Sequence, residues 1–271
     1  MVFWTIAKYE IKNSMRQKSY LLFLFIWTIM LSLLFFMQKG YPSLSGFSNS
    51  AGTFMNFILY FFPLIMLLFG SFAITSEFEN GHWHLLQAYA MTNDAFLGGK
   101  FIGQLITQIV TVTFGFGLAS LISTILKINI TLHWLLLIYF FTLCLSFTFL
   151  LIGMVIGTFS SNRWQALMIS VFIWFVFIMI WSMLLLSVLN FVPYNWIYTI
   201  LVLLLCLNPA EFLRVFFVSQ LGGGAVFGQD YDSLITNFVT YNWIILVIYL
   251  FLFSYFLFSL GILGLKRRIK K

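Results

Sequence analysis

Residues 194–207 read YNWIYTILVLLLCL, an apolar run closed by Pro193 before it and Pro209 after it. An α-helix rises about 1.5 Å per residue and needs roughly 20 apolar residues to cross a bilayer core. These 14 residues fall short of that. Proline ends or kinks a helix from either side. The run is therefore expected to be a re-entrant or interfacial segment, not a crossing.

Six other apolar runs are long enough to cross. They cover Tyr20 to Met37, Phe54 to Thr75, Phe101 to Leu126, His133 to Thr158, Ala166 to Leu189 and Trp243 to Leu265, with Pro63 as an expected kink in the second. Charge agrees with six spans. With the short run kept on one side, Lys8, Lys12, Arg16, Lys18, Lys100, Arg163 and the tail Lys266, Arg267, Arg268, Lys270 and Lys271 share a side. Only Lys39, Lys127 and Arg214 remain for the other. Basic residues concentrate on the cytoplasmic side of membrane proteins, so both termini are expected in the cytoplasm.

Composition points the same way. Of 271 residues, 62% are hydrophobic and 8% charged. A soluble domain carries about a quarter charged residues. No single core of this size could hide so much apolar surface from water. The expected fold is an all-α integral membrane protein in one domain, 1–271. It has six transmembrane helices, an N-terminal amphipathic surface helix at 1–19, a cytoplasmic loop at 76–100 and a re-entrant outer segment at 190–241. In the surface helix Phe3, Ala7, Ile11 and Met15 recur every four residues, with Lys8, Lys12, Arg16 and Lys18 off that stripe. The net charge of +7 belongs to membrane orientation, so no nucleic acid is expected as a partner. Cys144 and Cys206 lie in apolar runs and read as small buried hydrophobes.

The loop at 76–100 is the most informative stretch. It holds Glu77, Glu79 and Asp94, three of the seven acidic residues. A charged segment between two spans is expected to touch something soluble. Its residues Glu77, Glu79, Gly81, Leu85, Leu86, Gly99 and Lys100 fall on the pattern E-x-E-x-G-T, two leucines, P-[IV]-S-R and a closing G-K. The chain departs from it at His82, Ala90 and Asn93. This pattern resembles that of type-two ABC-exporter permeases. The resemblance implies that the loop is a coupling helix seated in a groove of a cytoplasmic ABC ATPase subunit. It implies coupling roles for Glu77, Glu79, Gly81, Trp83, Leu85, Leu86 and Lys100. It also implies a second permease copy, the lipid bilayer as surroundings, and a bacterial or archaeal cytoplasmic membrane as location.

The chain has no G-x-x-x-x-G-K-[ST], so it is expected to hydrolyse no ATP itself. No cofactor is expected on the chain; ATP and Mg belong to the partner ATPase.

A second segment, Asn208-Pro209-Ala210-Glu211-Phe212-Leu213-Arg214, starts as a helix should, with Asn as cap and Pro at its first position. Glu211 and Arg214 are three apart and can pair on one face. The segment reads as a structural staple; a direct role toward substrate is the other reading. It resembles the N-P-A-[DE]-x-F-R segment of NosY-type permeases, with the aromatic displaced by one. That resemblance implies nitrous oxide reductase copper-centre maturation, with a sulfur species or mechanical work passed to a periplasmic or outer-face accessory protein. Export of a peptide, antibiotic or lipid stays open beside it, as does a membrane assembly factor that transports nothing.

No metal site is expected. His82 and His84 do not share a helical face, His133 beside Trp134 reads as an interfacial anchor, and Met154, Met168, Met179 and Met183 are scattered. Gly153 and Gly157 permit a close helix crossing, within the subunit or between copies. The spans hold no Ser–His pair or H-E-x-x-H, which argues against an intramembrane hydrolase. No ring-forming acidic residue sits in a span, which argues against an ion channel.

Overall fold

The computed structural model describes residues 2–37, 49–81, 92–128, 131–193, 196–227 and 231–269. Trp83, Leu85 and Leu86 of the expected coupling loop lie outside them, as do His82, His84, Ala90 and Tyr194. The described residues form helices and short connections. The helices are α1 (Val2–Arg16), α2 (Lys18–Met37), α3 (Asn49–Glu79), α4 (Asn93–Ile125), α5 (Leu132–Phe159), α6 (Arg163–Phe191), α7 (Ile197–Leu207), α8 (Pro209–Gln220) and α9 (Asp232–Ile269).

Six of these, α2 to α6 and α9, are long and apolar enough to cross a membrane, as the sequence predicts. Pro63 sits inside α3 without ending it. The helices overrun the expected spans. At 33 residues α4 is about 50 Å long, against about 30 Å of hydrocarbon. Ser76–Glu79 and Asp94–Lys100, expected as loop, are therefore the last turn of α3 and the first turns of α4. Thr92 caps α4, its side chain accepting from the Ala95 N–H.

The short run is helix α7, and it meets α8 at a bend of 110°. Asn208 sits at the bend, its backbone N–H donating to the Leu205 carbonyl to end one helix and its side chain opening the next.

The core of the bundle is the α3–α5 crossing. A Cβ on Gly153 would lie 2.5 Å from the Leu67 carbonyl oxygen, and one on Gly157 would lie 2.7 Å from that of Ser71. The G-x-x-x-G spacing thus serves packing inside one chain. Along the spans Trp27 contacts Gly115 and Tyr20 meets Gln104, so α2 and α4 run parallel. Leu67 with Gly153 and Ser71 with Gly157 make α3 and α5 parallel as well. These registers bring α1, the end of α3, the start of α4, the α5–α6 turn and the end of α9 to one end of the bundle.

One expectation, on Cys206, needs correction, and two others gain detail. The face of α1 packed on the bundle is Phe3, Ala7, Glu10 and Ser14; Ile11 and Met15 of the expected apolar stripe lie beside it, and Met15 faces outward. A true repeat of 3.6 residues drifts off a strict spacing of four, and that drift puts a carboxylate on the packed face. Trp134 is buried against Phe35 and Phe54, while His133 beside it is exposed. Cys206 is exposed, not buried.

Candidate functional site

The end of α3 is the Glu77-Phe78-Glu79 turn. Successive helical residues point about 100° apart, so these three side chains leave in three directions. Each meets a cation from a different helix.

Glu77 reaches α4. Its Oε1 lies 2.8 Å from Lys100 Nζ. The same ammonium lies 2.8 Å from Glu10 Oε2 on α1. One turn further along α4, Gln104 Nε2 donates to Glu10 Oε1 at 2.7 Å and to Ser14 Oγ at 3.2 Å. The Tyr20 hydroxyl donates to Gln104 Oε1. Lys100 and Glu10 expose only 5% and 3% of their side chains, and Glu77 exposes 13%. Charges this deep are tolerated only when paired and hydrogen-bonded, and Lys100, Glu10 and Glu77 are each held in an ion pair. The Lys100 ammonium also lies 5.7 Å from the Phe96 ring centre. A polar cavity of about 220 Å³ opens beside the network, bordered by Asn13, Gln17, Ser19 and Ser76.

Phe78 reaches the end of α9. The Arg268 guanidinium lies 4.1 Å from its ring centre. That guanidinium also donates from Nε to the Thr158 carbonyl at 2.9 Å and from Nη2 to the Ser160 carbonyl. It therefore closes the open carbonyl end of α5, where cations are favoured.

Glu79 reaches the start of α6. Its Oε2 lies 2.9 Å from Arg163 Nε, and its Oε1 accepts from the Arg163 backbone N–H at 2.7 Å. A carboxylate at a helix N-terminus satisfies a free N–H and complements the helix dipole. Beyond Glu79 the chain turns on Gly81, whose φ of +71° lies in the left-handed region that glycine adopts freely.

Of the residues expected to couple, Glu77 and Lys100 are thus brought together and turned inward, while Glu79 turns away to Arg163. Asp94 stays exposed in the first turn of α4. Glu10, Phe78 and Gln104 were not singled out from the sequence. One signal was available: Glu10 is the only acidic residue before Glu77.

The outer segment forms a second cluster. Asn208 Oδ1 accepts from the Ala210 N–H at 2.9 Å, and its Nδ2 donates to the Phe177 carbonyl at 2.7 Å. Phe177 belongs to a π-helical turn, Phe175–Ile180, inside α6. Such a turn disturbs the regular i→i+4 pairing, and Asn208 supplies a donor to it. Glu211 and Arg214 pair at 2.7 Å, and Ser182 Oγ donates to Glu211 Oε1 at 2.6 Å. The expected pair is present, and it ties α8 to α6.

The pattern of the family described as "ABC-2 family transporter protein" matches residues 4–260. The chain belongs to the ABC-2 transporter family. It is a multi-pass permease subunit of an ABC transporter, a membrane component whose ATPase partner is a separate subunit. It is similar to "Probable ABC transporter permease protein NosY" of Stutzerimonas stutzeri, with 26% identity over 244 residues, 83% of this chain and 84% of the relative. The protein of that name from Pseudomonas aeruginosa PAO1 is 27% identical over 247 residues, 84% of this chain and 85% of the relative.

Proposed function

We propose that this ABC-2 permease works as two identical copies with two copies of a cytoplasmic ATPase, and that the loop between α3 and α4 enters the ATPase. The observation that carries this reading is the rooting of the loop. Glu77, Phe78 and Glu79 occupy one helical turn and are held by cations from α4, α9 and α6. A loop fixed this way transmits a push to several spans at once. A loop on a free root would absorb it. Gly81, Trp83, Leu85 and Leu86 then contact the ATPase, while Glu77, Glu79 and Lys100 hold the roots. The loop end faces the cytoplasm of a bacterium or archaeon, as its eleven basic residues favour. ATP and Mg stay on the ATPase, and this chain holds neither a nucleotide nor a metal.

The process we propose is nitrous oxide reductase copper-centre maturation. The similarity to permeases named NosY and the Asn208–Arg214 segment support it. In this reading a sulfur species or mechanical work passes to a periplasmic or outer-face accessory protein. Export of a peptide, antibiotic or lipid has one observation in its favour. A recess of about 620 Å³ lies between α5, α6, α7 and α9, lined by side chains such as Ile152, Phe177, Leu207 and Phe253. Its lining is almost wholly apolar and suits an apolar cargo.

The test is co-purification of the tagged chain with its ATPase, followed by ATP turnover in the reconstituted complex. Glu77→Gln, Gly81→Ala and Trp83→Ala are expected to insert normally and to uncouple turnover from the permease. Absence of any bound ATPase, together with no cross-link from cysteines placed through the loop, would overturn the reading.

A further inference from the structure

Helix α1 packs one face on the bundle and leaves an apolar edge and a cationic face open. Phe3, Ala7, Glu10 and Ser14 pack on α4. The contact is close. A Cβ on Gly103 would lie 2.7 Å from Glu10 Cβ and 2.8 Å from the Ala7 carbonyl oxygen, and one on Gly99 would lie 3.0 Å from the Phe3 carbonyl oxygen. No slack separates the two helices, so α1 and the start of α4 move together. The second face, Trp4, Ile11 and Met15, is an apolar edge in which Trp4 and Met15 face outward. The third face is Lys8, Lys12 and Arg16, all exposed and next to that apolar edge. Lys18 follows in the turn to α2, also exposed. None of these four cations has an ion pair among the described residues.

An apolar edge flanked by a cationic stripe is the arrangement of a helix lying at the headgroup boundary. Basic side chains there attract anionic lipid, each contributing roughly a fivefold gain in affinity. The packed face of the same helix carries Glu10, one bond from Lys100 and two from Glu77. Charge on the outer face and the root of the coupling loop are therefore joined through one rigid helix.

We propose that α1 is a binding surface for anionic phospholipid headgroups of the leaflet at the loop end, and that their binding is relayed through Glu10 and Lys100 to the loop root, raising ATP turnover of the complex. The relay rests on the coupling reading above; the lipid surface does not. The permease–ATPase complex is to be assayed in nanodiscs of phosphatidylcholine alone and of phosphatidylcholine with phosphatidylglycerol. Turnover is expected to rise several-fold with phosphatidylglycerol and to lose that gain at high salt, since surface charge is screened. The triple variant Lys8→Gln, Lys12→Gln, Arg16→Gln is expected to keep basal turnover and lose the gain. Glu10→Gln is expected to keep its lipid and lose the gain.

Native mass spectrometry of the permease alone counts the phosphatidylglycerol it retains. Wild type retaining more than the triple variant supports the surface, even if no ATPase binds and the coupling reading fails. Equal turnover in both nanodiscs, or a triple variant that still responds, overturns the proposal. A triple variant that no longer binds the ATPase in detergent also overturns it, because the cationic face would then be a protein dock.

Discussion

At the scale of single residues, Lys100 is the centre of the loop-end network. It pairs with Glu10 and Glu77 at once, and both carboxylates are largely out of water. Removing one partner of a buried pair leaves uncompensated charge, at a cost of about 3–5 kcal/mol. Lys100→Met is thus expected to insert but to unfold several degrees earlier than wild type in detergent, as a thermal melt would show. An unchanged melt would mean that water reaches both carboxylates. The sequence exposed half of this network. Glu77 and Lys100 stand out because they close a recognisable loop pattern. Glu10 hides in a helix that reads as basic, and its partner is 90 residues away. Only the correct helical phase puts Glu10 beside Ala7 and Ser14, and a spacing of four misses it. Arg163 and Arg268 were legible as topological charges. Their contacts with Glu79 and Phe78 depend on which span ends meet, and a single sequence does not carry that.

At the scale of elements, length and hydropathy sufficed to find the six spans, because the bilayer sets both. The bend at Asn208 was legible too, from Pro209 and a good capping residue in front of it. The π-helical turn at Phe175–Ile180 was not. Its residues are ordinary apolar ones, and the turn is stabilised from outside by Asn208. The Gly153–Gly157 pair lies between these cases. Its spacing announces a close approach but names no partner, and the partner proves to be α3. The approach is tight enough to predict a consequence. Gly153→Leu drives a side chain into the Leu67 backbone, a clash that no rotamer relieves. Overpacking of this kind costs about 1–3 kcal/mol or more. The variant is expected to accumulate poorly in the membrane and to melt earlier, with the dimer and monomer affected alike. A loss confined to the dimer would instead place the glycines between copies.

At the scale of the whole molecule, everything turns on the segment 194–207, because an extra crossing would reverse the end of the chain. The parallel pairing of α2 with α4 and of α3 with α5 follows from an alternating path, and it gathers the Glu77–Glu79 turn, Arg163 and Arg268 at one end. Arg268 is decisive in this respect. It lies one residue from the end of α9 and grips carbonyls at the end of α5, so α9 finishes where α5 does. A full crossing by α7 and α8 would force it to finish at the other end, and those contacts would be lost. Thiol labelling makes the difference measurable. In a chain with Cys144 and Cys206 replaced by alanine, cysteines are introduced singly as Asp94→Cys, Lys127→Cys and Lys266→Cys. A membrane-impermeant maleimide added to intact cells is expected to modify position 127 alone. Positions 94 and 266 are expected to react only once the membrane is opened, because the proposed orientation puts the loop and the tail together in the cytoplasm. Labelling of 266 together with 127 in intact cells would make residues 197–220 a seventh crossing and would detach α9 from the loop root.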